Sequence, residues 1–142
     1  MFRALFCIFP IILTSSAWAQ NSDDNAQAAR EEAELRVENE MVQLNSIVEA
    51  MSMNLGQLHY LRTLCFGQND QKWRNYASQL MDVEAPLNDE RRRNLIQAFN
   101  KGYYLEEGRH KDCNQAVSLD VAALAENGRN LANMLGDPYR ED

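Results

Sequence analysis

The chain has 142 residues, with 14 basic against 21 acidic side chains and a formal net charge of −7. That balance opposes binding to DNA, RNA or an anionic membrane surface by bulk electrostatics. The length allows one small domain, and three cysteines leave room for a single bridge.

The first residues read as an export signal. Arg3 supplies the positive start, residues 4–13 the apolar stretch, and Ala17-Trp18-Ala19 the small-x-small cleavage pattern. Cleavage is expected after Ala19, with a periplasmic destination. The apolar run is too short, and Pro10 too central, for a stable span, so no integral membrane span is expected in the mature chain. Cys7 would leave with this leader. The remaining pair, Cys65 and Cys113, is most simply a disulfide in an oxidising compartment. Two unpaired buried thiols are the alternative.

Residues 20–29 show no apolar periodicity and read as a flexible tether or a frayed helix start. From residue 30 the pattern is helical. Ala33, Val37, Met41, Leu44, Val48, Met51, Leu55, Leu58 and Cys65 recur at alternating three and four residues, with Arg62 as the break. Gly67 stands where a left-handed C-cap is wanted. The first half of this helix, residues 30–50, is expected to project, to self-associate through residues 30–55, or to fray near Asn45 and Ser46.

After the turn at residues 67–70, Asn69 or Asp70 is expected to cap a second helix. Its apolar stripe reads as Trp73, Tyr76 or Ala77, Leu80 and Val83, and Pro86 stops it. A third helix should start at Asn88, with Asp89 and Glu90 against the helix dipole, and run to about Gly108 on a stripe of Leu95, Ile96, Phe99 and Tyr103. The fourth should run from about Asp112 to Leu135, carrying Val117, Val121, Leu124, Gly128, Leu131 and Leu135, before Gly136-Asp137-Pro138. The fold expected is all-α: a small three- or four-helix bundle with a long first helix and one disulfide. The division is residues 1–19 signal peptide, 20–29 tether, 30–50 helix half, 51–136 disulfide-closed bundle and 137–142 tail.

There is no Gly-rich phosphate loop, nucleophile elbow or HExxH. No cofactor and no metal is expected: Glu106 and His110 share a face at i, i+4, but read as solvated surface. The densest chemistry is residues 99–104, Phe-Asn-Lys-Gly-Tyr-Tyr. Gly102 inside a helix costs about 1 kcal/mol relative to alanine, so a close helix approach, with Gly128 as partner, or room for a ligand is expected. Trp73, Arg74, Asn100, Tyr103 and Tyr104 are the candidate ligand-binding residues, able to stack on sugar rings and hold carboxylates. The plain alternative makes Trp73, Phe99 and Tyr103 core and pairs Arg74 with Glu84.

In order along the chain, Leu58-x-Tyr60-Leu61-x-x-x-Cys65, Trp73-Arg74, Glu84, Phe99-Asn100-Lys101-Gly102-Tyr103 and Cys113 resemble a family of short exported alphaproteobacterial proteins classed as a domain of unknown function. The resemblance covers residues 51–135. It implies a periplasmic helical domain with one disulfide, no established catalytic activity, and an association with the peptidoglycan layer. The function expected is therefore a non-enzymatic cell-envelope protein that binds peptidoglycan or an envelope partner protein. A peptidoglycan-active enzyme or accessory subunit using Glu84 is the runner-up, and a holdase-like chaperone the third reading.

Overall fold

A computed structural model describes residues 18–87 and 89–136. Residues 1–17 of the expected leader, Asn88 as a helix start, and the tail at 137–142 lie outside the described residues. The chain forms four α-helices there: α1 (Trp18–Phe66), α2 (Lys72–Glu84), α3 (Glu90–Arg109) and α4 (Gln115–Gly136). No strand occurs among the described residues.

The chain divides into two units, Met1–Asn39 and Glu40–Asp142. In the first, residues 20–29 are helical rather than a tether, because α1 already begins at Trp18. Its described side chains are almost all exposed, Leu35 and Val37 included. The second unit is the disulfide-closed bundle. Within it α1 passes Asn45 and Ser46 unbroken, the Ser46 hydroxyl returning to the Gln43 carbonyl at 2.7 Å.

The expected one-sided seam turns out to be a helix covered nearly all round. No residue from Met51 to Cys65 is exposed. Val48 and Leu55 of the seam serve this bundle's own core rather than a second copy, whereas Met41 and Val42 stay exposed. The core has two parts. Val48, Ala77, Met81, Ala85 and Leu95 form one, backed by Leu55, Leu80, Phe99 and Leu135. Tyr60, Leu61 and Val117 form the other, backed by Leu64, Cys65, Tyr103, Val121 and Leu124.

Between them α1 carries small and polar residues. The Ser52 hydroxyl donates to the Leu95 carbonyl of α3 at 2.7 Å, and Asn54 Nδ2 to the Leu124 carbonyl of α4 at 3.0 Å. Each bond satisfies a group that would otherwise be buried at a cost of about 1–3 kcal/mol. Gly56 and Gly102 let α1 and α3 approach closely here. A Cβ on Gly56 would overlap the Phe99 carbonyl, and one on Gly102 the Met53 carbonyl. The partner of Gly102 is thus α1 and not Gly128, which instead faces Asn54 Oδ1.

Gly67 ends α1 with φ 90° and its amide bonded to the Thr63 carbonyl at 2.9 Å. Arg62, the break in the seam, lies over the Phe66 ring and reaches Asp70 at 2.6 Å. Partial burial resists ionisation of Asp70, but the Arg62 hydrogen bond, the Lys72 amide and the charges of both residues outweigh it and lower its pKa. Asp70, rather than Asn69, accepts from the first amide of α2, at 3.3 Å. At the far end of α2, Arg92 donates to the Met81 and Ala85 carbonyls at 3.0 Å and pairs with Asp82 at 2.8 Å. Arg91 holds the Glu84 carbonyl and carboxylate at 3.0 and 2.7 Å. Free carbonyls at a helix end need such donors, and these ones tie α2 to the first turn of α3. Asp89 caps α3 by accepting from Arg92 N at 3.0 Å, and Asn114 caps α4 by accepting from Ala116 N at 2.9 Å.

The stripe on α2 takes Ala77 of the two expected alternatives and keeps Leu80 against the core, with Met81 in place of Val83. Ala77 and Met81 are buried, while Tyr76 and Val83 are exposed. Small Ala77 lets α2 lie close to its neighbours, and that fixes its rotation.

Cys65 and Cys113 are bridged, with Cα atoms 5.0 Å apart and a sequence separation of 48. Closing a loop of that length stabilises the fold by on the order of 4 kcal/mol in the chain-entropy model. Replacing both cysteines by serine is expected to cost about 2–5 kcal/mol, read by thermal denaturation. Equal midpoints with and without reductant would contradict it.

Candidate functional site

The capping arginines set α2 and α3 side by side, and a cleft of about 570 Å³ opens between them. Ligand pockets commonly fall in the range of roughly 300–1,000 Å³. Helix α3 lines it with Ile96, Phe99, Asn100, Tyr103 and Tyr104, spaced three and four apart. Helix α2 contributes Arg74, Ala77, Ser78 and Met81, whose short middle members leave the space open. Gln68 and Gln71 close one end, and His59 of α1 lines the floor.

Four of the five candidate residues therefore converge: Arg74, Asn100, Tyr103 and Tyr104. Trp73 does not. It lines a separate groove with Leu58, Leu61, Arg62, Phe66 and Val117 beside the disulfide, its ring 5.7 Å from that of Tyr76. Adjacent residues on a helix point about 100° apart, so the Trp73-Arg74 pair serves two surfaces. Arg74 is exposed and makes no ion pair among the described residues. The expected alternative partner, Glu84, belongs to Arg91 and lies outside the cleft. Asp82 belongs to Arg92. Among the described residues no carboxylate lines the cleft.

His59 is the site residue that the sequence reading missed. It is only 6 % exposed, and its Nδ1 is buried with no hydrogen-bond partner. Its ring sits 5.7 Å from Phe99 and 5.8 Å from Tyr103, and Tyr103 in turn meets Tyr104 edge-on at 5.6 Å. Burial lowers the His59 pKa first, the Arg74 charge lowers it further, and Asp70 opposes both. The available signal was a histidine three residues from Gly56, on a stretch where every face turns out to be covered.

The pairing of Glu106 and His110 is real, but it is not solvated surface. Glu106 is fully buried. Gln57 of α1 donates to it at 2.7 Å, Arg109 reaches both of its oxygens at 3.1 Å, and His110 Nε2 lies 3.7 Å away. Asp120 of α4 completes the group, 2.7 Å from His110 Nε2 and 3.1 Å from Arg109. The i, i+4 spacing put Glu106 and His110 on one face, and α1 and α4 then closed over that face. Tyr60 donates its hydroxyl to the His110 carbonyl, and burial, with Glu107, Tyr103 and Asp112, pushes its pKa up. Glu106, His110 and Asp120 bring three metal-ligating atoms within 4.8 Å of one another. Arg109 bonds both carboxylates and puts one positive charge between them, so the arrangement is a polar clasp between α1, α3 and α4.

The family described as Protein of unknown function (DUF2385) matches residues 43–139. The chain belongs to this family. The matched region takes in both the cleft and the clasp, and leaves out the whole of the first unit. No curated protein and no solved structure matches the chain. Among the described residues no helix is long and apolar enough to cross a membrane.

Proposed function

We propose that this member of the family is a non-enzymatic periplasmic cell-envelope protein that binds peptidoglycan in the α2–α3 cleft. The observation that carries the reading is Arg74, a cation without an ion-pair partner among the described residues, lining a cleft to which those residues bring no carboxylate. The rest of the lining suits such a polymer. Tyr103 and Tyr104 offer ring faces to sugars, and Asn100 offers a donor and an acceptor. A fixed guanidinium fork suits the carboxylates of lactyl groups and peptide stems. In a chain of net charge −7, anion binding needs such a local fork. The leader at residues 1–19 supports the compartment.

Hydrolysis through Glu84 is the second reading, and the Arg91 pairing outside the cleft weighs against it. A holdase role through exposed apolar side chains is the third.

Sedimentation of the purified protein with isolated sacculi tests the proposal. Arg74→Gln is expected to weaken binding about tenfold or more, as loss of a hydrogen bond from a charged group does. Asn100→Ala and Tyr104→Phe should weaken it a few-fold. All three residues are exposed, so the melting temperature should hold. Unchanged binding in all three variants would remove the proposal, as would release of soluble fragments from the sacculi.

A further inference from the structure

We infer that His59 and Arg74 form a carboxylate-reading pair in this cleft, with a neutral imidazole donating through Nε2 and the guanidinium supplying the charge. The inference rests on the ligand-binding reading above and narrows the ligand to a free carboxylate, a sugar acid or a peptide end.

The tautomer follows from burial. Nδ1 has no partner among the described residues and is shut away from solvent. A buried orphan N–H is rarer in proteins than an under-satisfied acceptor, so the proton belongs on Nε2. A doubly protonated ring would also strand an N–H at Nδ1. The groups facing the ring are Arg74 from α2, Asp70 from the turn, and Phe99 and Tyr103 from α3. Arg74 repels a second proton. Asp70 would favour one, but its carboxylate is already spent on Arg62 and the Lys72 amide. His59 lines the cleft floor, and the ring edge bearing Nε2 is the one left to that cleft.

Two donors thus converge without a protein acceptor, carrying one positive charge between them. Their complement is a planar acceptor with one negative charge. A phosphate dianion would need more than one cation, and Asp70 stands close enough to oppose it. An uncharged sugar would leave the Arg74 charge unanswered. A carboxylate accepts from both donors at once, and its neighbouring hydroxyls or amides then fall beside Asn100, Tyr103 and Tyr104.

Histidine ¹⁵N NMR of the purified protein, titrated with matched ligand pairs, tests this. The pairs are N-acetylmuramic acid against N-acetylglucosamine, and N-acetyl-alanyl-alanine against its C-terminal amide. The expected results are an Nε2–H tautomer for free His59 and an Nε2 shift on adding an acid. The acid should bind about tenfold tighter or more than its uncharged counterpart. Arg74→Gln should erase that preference, and the better acid identifies the source of the carboxylate. An Nδ1–H tautomer, or equal affinity within both pairs, would overturn the assignment. If sacculus binding persists alongside that equality, the cleft reading stands and only the carboxylate pair falls. If an acid binds at His59 while sacculi do not, the pair stands and the envelope reading falls.

Discussion

Gly102→Ala is expected to destabilise the bundle by about 3 kcal/mol or more, the upper end of the overpacking range. Alanine is the better helix former by about 1 kcal/mol, so helix propensity alone predicts the opposite sign. Contact geometry decides. A Cβ at Gly102 would overlap the Met53 carbonyl and come within 3.1 Å of Gln57 N, all of it backbone. A clashing side chain can rotate away, but a helix backbone cannot, so α1 and α3 would have to separate. Separation would strain the Ser52 bond to Leu95 and the Gln57 bond to Glu106, both of which cross the same interface. Gly56→Ala should behave alike, since its Cβ would meet the Phe99 carbonyl. Gly108→Ala is the control: nothing lies within 4 Å, and the change should be neutral or stabilising by about 0.4–1 kcal/mol. Thermal denaturation followed by circular dichroism separates the cases. A Gly102→Ala midpoint at or above that of the parent would refute the close packing of α1 on α3.

The elements that depend on local chemistry were legible in the sequence. Gly67 had to end α1 because its φ is positive, and Asp89, expected against the dipole of α3, stands at its start as the cap. The Cys65–Cys113 bridge followed from the count of cysteines and the compartment expected for them. What was not legible depends on how helices rotate and meet. Trp73 and Arg74 are neighbours in sequence, yet they serve a groove and a cleft on different sides of α2. The α2 stripe left Tyr76 or Ala77 open; burial chose Ala77, and chose Met81 where Val83 was expected. Gly56, Gly102 and Gly128 each announce a close approach, and nothing within a single helix says which two meet. His59 was hidden for a related reason. The seam on α1 was read as one face, but Ser52, Asn54 and Gly56 open further faces to α3 and α4, and the covered stretch carries His59 to the cleft.

Removing Arg109 is expected to cost more than removing the carboxylate it serves. Glu106 is fully buried, whereas the Arg109 side chain is 51 % exposed. If Glu106 becomes Gln, the guanidinium can turn toward water or keep Asp120, and the new amide can still bond Gln57. If Arg109 becomes Met, the Glu106 charge stays buried with Gln57 and a His110 nitrogen 3.7 Å away that already serves Asp120 at 2.7 Å. Breaking a buried pair from the side that leaves a charge stranded typically costs about 3–5 kcal/mol. Half-exposure of Arg109 lets water reach part of the site, so the low end, about 3 kcal/mol, is expected for Arg109→Met. Glu106→Gln should cost roughly half of that. In the double variant no charge is stranded, and a buried pair replaced by neutral groups is often close to neutral in stability. The cycle should therefore show that Glu106→Gln destabilises the parent but stabilises the Arg109→Met background, a coupling of about 2 kcal/mol or more. Urea denaturation of the four proteins measures it. Additive effects would mean that Arg109 only decorates the surface, and that Gln57 and His110 alone hold the Glu106 carboxylate.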